Sequence, residues 1–232
     1  ASASAMVIVN TIIYVKEYLG GSDSELAIFF AASGFGSMLA ALSFPKLSGV
    51  FKDKSIVQTG AIILATGLAL MATEPAFSFA LFTWFITGVG LSLVQTPSGR
   101  IVNVSAAPSD RSSYFSAQFA LSHLCWLIAY PIVGQLVLYF GFGFSAAFLA
   151  CIILICFIFS ILFWPTENEI HLTHQHKTLV HSHTHAHEDK HHLHQHNSNL
   201  DQDSHEHEHE HEEIVHKHEF VIDLHHQQWP KG

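Results

Sequence analysis

Hydrophobic residues in this chain fall in long uncharged runs rather than in amphipathic stripes: 1–15, 26–44, 55–73, 75–99 and 112–163 contain no Asp, Glu, Lys or Arg. A helix needs about 20 apolar residues to cross the hydrocarbon of a bilayer, so runs of this kind predict membrane spans. The longest run has room for two passes. It divides at Tyr139-Phe140-Gly141-Phe142-Gly143, where two glycines among aromatics suit a tight turn at the headgroups. The pattern therefore predicts spans at about 1–19, 26–45, 55–73, 76–98, 113–138 and 143–164. The first is incomplete, since about 15 residues ahead of Lys16 and Glu17 do not cross unaided. The chain also opens at Ala1 without a methionine, and together these features predict that it is the back part of a longer protein with a truncated first helix. Beyond residue 164 the apolar runs stop, and 165–232 is expected to be a polar tail without a core of its own.

Charge sharpens the division. Residues 1–164 hold six Lys+Arg and six Asp+Glu, whereas 165–232 hold four lysines, thirteen acids and nineteen of the twenty histidines, so the formal charge of −9 lies in the tail. Short cytoplasmic loops carry an excess of Lys and Arg. Lys46, Lys52 and Lys54 lie between the second and third spans and Arg100 and Arg111 between the fourth and fifth, while the opposite loops contribute only Lys16. This puts the two basic loops in the cytoplasm, and six passes return the tail to the same side. No basic segment precedes the first apolar run, which reads as a truncated span rather than a secretory signal. Cys125, Cys151 and Cys156 offer no disulfide framework, and the last two are expected to pack in the final span. The chain reads as a non-enzyme embedded in the lipid bilayer, with no nucleic-acid partner.

Polar residues at membrane depth are costly and need a partner or a task. The candidates for a transport pathway are Asn10, Gln95, Gln118, Ser122, His123 and Cys125. At 100° per residue Gln118, Ser122 and Cys125 share one helical stripe, while His123 falls on the face of Phe119, Trp126 and Tyr130. A lone histidine among aromatics reads either as an interhelical hydrogen-bonder or as a metal ligand. Small residues in two rows, Ala32, Gly36, Ala40 and Ala61, Ala65, Ala69, predict close helix packing. Gly88, Gly90 and Pro131 are expected instead to loosen or kink their helices, as in transporters that must flex.

Six spans with basic loops at PKLSGVFKDKS and around Arg100 and Arg111 resemble the C-terminal half of a major facilitator superfamily transporter. The stretch DRSSYFSAQFALSHLCWLIAYPIVGQL, residues 110–136, resembles the penultimate helix of the NreB-like nickel-resistance exporters of that superfamily, which also end in a histidine-rich tail. The resemblance covers most of 1–164 and implies an all-α integral membrane protein: the six-helix C-terminal bundle of a two-bundle fold, in a bacterial inner (plasma) membrane. It further implies export of a divalent metal ion, nickel or cobalt, by proton-coupled alternating access. The N-terminal half would be a missing partner, without which no transport path is enclosed.

The tail holds its histidines in clusters divided by acidic linkers, a composition that favours disorder. HSHTHAHEDKHHLHQH, residues 181–196, places eight histidines in sixteen positions. An expression tag is one contiguous run, whereas here His alternates with Ser, Thr, Ala or Glu across 171–226. Acids alone would solubilise a tail. Imidazoles, roughly three quarters of them neutral at pH 7, add free nitrogen ligands. The expected metal ligands are His181, His183, His185, His187, His191, His192, His194, His196, His205, His207, His209 and His211. In an extended chain His-x-His sets two rings on one side about 7 Å apart, and Glu206, Glu208 and Glu210 are expected to add oxygens to the ions held by HEHEHEH. No prosthetic group is expected. Imidazole with carboxylate suits Ni²⁺, Co²⁺, Zn²⁺ and Cu²⁺ alike, so the ligands do not name the metal. Two other functions fit the same residues: a facilitator exporting organic solutes or drugs with a regulatory metal-binding tail, and a membrane-anchored metal store. The closing stretch HEFVIDLHHQQWPKG regains some apolar character and reads as a docking segment or a disordered end.

Overall fold

A computed structural model of the chain describes residues 1–164, 171–176, 179–186, 204–211 and 214–219. The chain divides into two compact units, one built on Ala1–Trp164 and one built on Pro165–Phe220. The first is entirely helical: α1 Ser2–Ile13, continued by a π-helical turn Tyr14–Tyr18, then α2 Asp23–Val50, α3 Asp53–Met71, α4 Phe77–Gln95, α5 Pro97–Ser105, α6 Arg111–Phe140 and α7 Phe142–Phe163. Five stretches, Asp23–Val50, Asp53–Met71, Phe77–Ser105, Arg111–Phe140 and Phe142–Phe163, are long and apolar enough to cross a membrane. The unit is an all-α membrane bundle.

Helix ends follow local chemistry. Ser22 accepts from the Glu25 amide through its side chain while the Glu25 carboxylate accepts from the Ser22 amide, a capping box that opens α2. Lys16 and Asp23, 2.6 Å apart, tie the preceding turn to it. At the other hairpin Gly141 adopts a φ of +84°, which ends α6 and admits a sharp reversal. The orphan amides that open α7 are then met by side chains from other elements: Phe142 donates to the Tyr18 hydroxyl at 3.0 Å and Gly143 to Glu74 Oε1 at 2.9 Å.

Packing runs α2 against α4, α4 against α3, α3 against α7 and α1 against α6. The two central crossings depend on glycine. A Cβ at Gly36 would lie 2.1 Å from the Phe85 carbonyl oxygen and one at Gly88 2.0 Å from that of Ser33. A Cβ at Gly90 would lie 2.8 Å from the Leu64 amide. Gly88 and Gly90 are thus approach points for neighbouring backbones inside an unbroken α4, which corrects the expectation that they loosen the helix. α6 likewise runs on through Pro131. The buried small row of α2 is Ser33, Gly36 and Ala40 rather than Ala32, Gly36 and Ala40, and on α3 the buried small residues are Gly60, Ala65 and Gly67, so that of the three alanines Ala65 alone is buried.

Around these crossings sits an aromatic core. Tyr14 is fully buried, with ring centroids 4.4 Å from Phe142, 5.9 Å from Tyr18, 6.2 Å from Trp84 and 6.3 Å from Phe29. Trp84 Nε1 donates to Thr11 Oγ1 at 2.8 Å, and that hydroxyl donates in turn to the Val7 carbonyl. Trp84→Phe should lower the stability of the detergent-solubilised protein by about 1–2 kcal/mol, since it removes one buried hydrogen bond and some ring area. Thermal unfolding of Trp84→Phe, Thr11→Val and the double variant checks this, and strictly additive losses would show that the bond contributes nothing.

In the second unit the described residues lie in paired strands. β1 His171–His176 pairs antiparallel with β4 Ile214–Glu219, and β2 Leu179–Ala186 with β3 Ser204–His211. The alternation of His with short polar or acidic residues has the two-residue period of a strand, which is the local reason for extension here. His187, His191, His192, His194 and His196 lie outside the described residues, as does the apolar closing stretch.

Candidate functional site

Asn10 is the most enclosed polar side chain among the sequence candidates. It is completely buried on α1, its Nδ2 donates to the Val133 carbonyl of α6 at 3.2 Å and to Met6 Sδ at 3.3 Å, and its buried Oδ1 has no partner. An unpaired buried amide oxygen costs about 1–3 kcal/mol, so it is either strain or an acceptor awaiting a cation or donor. Gln95 closes α4, with Nε2 donating to Ser4 Oγ of α1 at 3.4 Å. It lines a cleft of about 270 Å³ between α1, α3, α4 and α7 that also presents Gln58, Cys156 and Ser160. Gln58 Nε2 and Ser160 Oγ lie 3.4 Å apart across this cleft. Sequence reasoning missed both, although Gln58 is a polar residue within an uncharged run just as Gln95 and Gln118 are.

The other four candidates lie on one stretch of α6. Gln118 is half-buried, and Ser122, His123 and Cys125 are exposed. α6 is buried at Ala129, Val133 and Val137, while in its first half Phe119, Leu121, Leu124 and Leu127 are exposed among the described residues. Asn10 reaches α6 only through Val133, so the structure brings it to the helix but not to the Gln118–Cys125 segment.

His123 lies against the aromatic stripe that helical spacing assigns it, 3.8 Å from the Phe119 ring centroid and 5.2 Å from that of Trp126, with Trp126 stacked on Tyr130 at 6.4 Å. Its Nδ1 is 2.8 Å from the Phe119 carbonyl oxygen. A carbonyl accepts only, so this contact favours the tautomer in which Nδ1–H donates and Nε2 keeps its lone pair. That is the arrangement in which a histidine serves as a metal ligand with its second nitrogen anchored. Among the described residues of the bundle no three His, Cys, Asp or Glu side chains gather at one point. A cation held at His123 by this chain would meet one imidazole, since Gln118, Ser122 and Cys125 share another stripe of the helix, and a single imidazole is a weak and readily exchanged ligand suited to passage rather than storage.

An ion pair missed by sequence reasoning joins the two basic loops. Arg100 Nη1 donates to Asp53 Oδ2 at 2.6 Å, so the start of α3 and the middle of α5 meet at one end of the bundle. Opposite charges in two neighbouring interhelical segments were the available signal.

The family model of the Major Facilitator Superfamily matches residues 1–197, which takes in every helix and the start of the tail. No curated protein and no solved structure matches this sequence.

Proposed function

The chain belongs to the Major Facilitator Superfamily, a family of membrane transporters, and is a multi-pass membrane protein; from that premise we propose that it exports a divalent transition metal, nickel or cobalt, from the cytoplasm by proton-coupled alternating access. The observation that carries the reading is the tail, which follows the last span with nineteen histidines interleaved with acids, a ligand store that a carrier of uncharged solutes does not need. The excess of Lys and Arg in the two basic loops supports a cytoplasmic tail, on the side from which exported ions leave. The bundle rocks against a second bundle, the N-terminal half, and the ion is bound near midmembrane by groups drawn from Asn10, Gln95, Gln118, Ser122, His123 and Cys125. His123 suits the part best, because its anchored Nδ1 frees Nε2 and it is exposed among the described residues.

The test compares metal resistance and cellular metal content, ion by ion, in cells carrying the full-length protein, a version ending at Pro165, and none. Resistance to Ni²⁺ or Co²⁺ that requires the protein supports the reading, and its loss on truncation makes the tail part of transport. His123→Ala is expected to lower metal efflux at least about ten-fold while leaving the protein folded, since His123 is exposed and its contacts with Phe119 and Trp126 are to residues of its own helix. The stripe of Phe119, Trp126 and Tyr130 favours a second reading, an exporter of aromatic or cationic organic solutes. Metal tolerance indifferent to the protein, with protection against such solutes, would select it.

A further inference from the structure

Asn10 commits its nitrogen fully and its oxygen not at all. The amide nitrogen donates to the Val133 carbonyl of α6 at 3.2 Å and to Met6 Sδ at 3.3 Å, while the buried Oδ1 accepts nothing. A carbonyl only accepts, so turning the amide over would set two acceptors against each other and would not relieve the oxygen. The neighbouring hydroxyl offers no donor either: Thr11 gives its one proton to the Val7 carbonyl and accepts from Trp84 Nε1 at 2.8 Å. Asn10 is thus a completely buried side chain that holds α6 by nitrogen and lacks a partner at oxygen.

A neutral hydrogen bond stabilises by less than an unmet buried acceptor costs. The contact is therefore held shut by the packing of Ala129, Val133 and Val137 in the apolar core, and not by its own chemistry. Both helices that it joins also carry a defect in their own hydrogen-bond ladder close by. Pro131, just before Val133 in α6, has no N–H, so the Leu127 carbonyl loses its helical donor. α1 passes, one turn beyond Asn10, into the π-helical turn at Tyr14, where the Leu19 amide donates to the Tyr14 carbonyl at 3.0 Å. Interrupted ladders on both sides let this contact shift at small cost.

Resting on the reading that the transported ion passes along α6, we propose that Asn10 and Val133 form a releasable clasp between α1 and α6. Closed, it leaves Oδ1 unmet; open, Oδ1 takes a donor, water included, and the penalty is relieved. The first half of α6 carries Gln118, Ser122, His123 and Cys125, so release of its second half from α1 moves the segment that meets the ion. Asn10 is then a positioning residue. It lies wholly inside this bundle and acts on the ion through α6 rather than as a ligand.

Asn10→Leu tests the clasp, because leucine has the same branched outline and no acceptor to leave unmet. Amide hydrogen exchange over residues 127–137 of the full-length protein in detergent should slow at least about three-fold in this variant, with the unfolding temperature level or raised. Unchanged or faster exchange, or a lowered unfolding temperature, would overturn the clasp, since a merely structural hydrogen bond destabilises when removed. The smaller Asn10→Val repeats the measurement should leucine crowd the site. In reconstituted vesicles with Ni²⁺, Asn10→Leu should lower the maximal transport rate at least about ten-fold and change the half-saturating concentration less than about three-fold, because the movement is held while binding is intact. A raised half-saturating concentration at an unchanged maximal rate would make Asn10 a ligand and overturn the proposal. Wild-type protein that moves no Ni²⁺, with exchange slowed in the Leu variant, would remove the metal reading and support the clasp, whose exchange readout needs no ion.

Discussion

Full-length protein titrated with Ni²⁺ at about pH 7.5 and again at about pH 5.5 is expected to bind the ion at least a hundred-fold more weakly at the lower value. The sign follows from competition for one lone pair. A neutral imidazole binds metal and a protonated one does not, so affinity is full above the histidine pKa of about 6.5 and falls as pH drops through it. Roughly nine tenths of exposed imidazoles are neutral at the higher pH and one tenth at the lower, a ten-fold loss for each ligand. Two ligands give about a hundred-fold and four about ten-thousand-fold, so the steepness of the fall counts the histidines on each ion. Carboxylates, with reference values near 4, stay ionised over this range and would leave affinity almost unchanged. Equal affinity at the two pH values would therefore sink imidazole ligation altogether. If it holds, the tail gives up its ions where local acidity rises.

What the chain declares of this architecture is what the bilayer itself demands. Hydrocarbon excludes unpaired charge, so the uncharged runs at 26–44, 55–73 and 112–163 read directly as helices, and the Gly141 turn that divides the last of them is marked by glycine and its aromatic neighbours. How helices meet is not declared, because it depends on which residue faces which across the bundle. Gly88 reads as a weak point along its own helix and acquires its use only when the Ser33 carbonyl is brought against it. Asn10 stands out as a polar residue in an apolar run, yet its partner Val133 is 123 residues away and offers a backbone group that no pattern reveals. Alternation in the tail declares extension and ligands, but the pairing of His183 with His207 is a matter of register, and register lies between segments rather than in either one.

Gly88→Ala is expected to destabilise the bundle by more than about 3 kcal/mol, at the upper end of what overpacking usually costs, although alanine is the better helix former. The added carbon would stand 2.0 Å from the Ser33 carbonyl oxygen, far inside contact distance, and the obstacle is backbone. No rotamer change relieves it. α2 and α4 must move apart, which also opens the neighbouring contact where a Cβ at Gly36 would meet the Phe85 carbonyl oxygen at 2.1 Å. The two glycines therefore serve a single crossing, and once it is forced open by either substitution the second should cost much less. Gly36→Ala alone should resemble Gly88→Ala, and the double variant should fall well short of the sum. Gly34 and Gly49 of the same helix supply the control, since a Cβ at either meets nothing within 4 Å. There alanine should be neutral or stabilising by about 0.5–1 kcal/mol through its helix preference alone. Thermal unfolding of the four single variants and the double in detergent decides the matter: equal effects at Gly34 and Gly88 would mean that the α2–α4 crossing is not built on backbone contact. Because the crossing fixes how α4 stands against α2 and α3, a variant that survives by splaying it should also transport poorly, through displacement of a helix that carries no ion ligand at the substituted position.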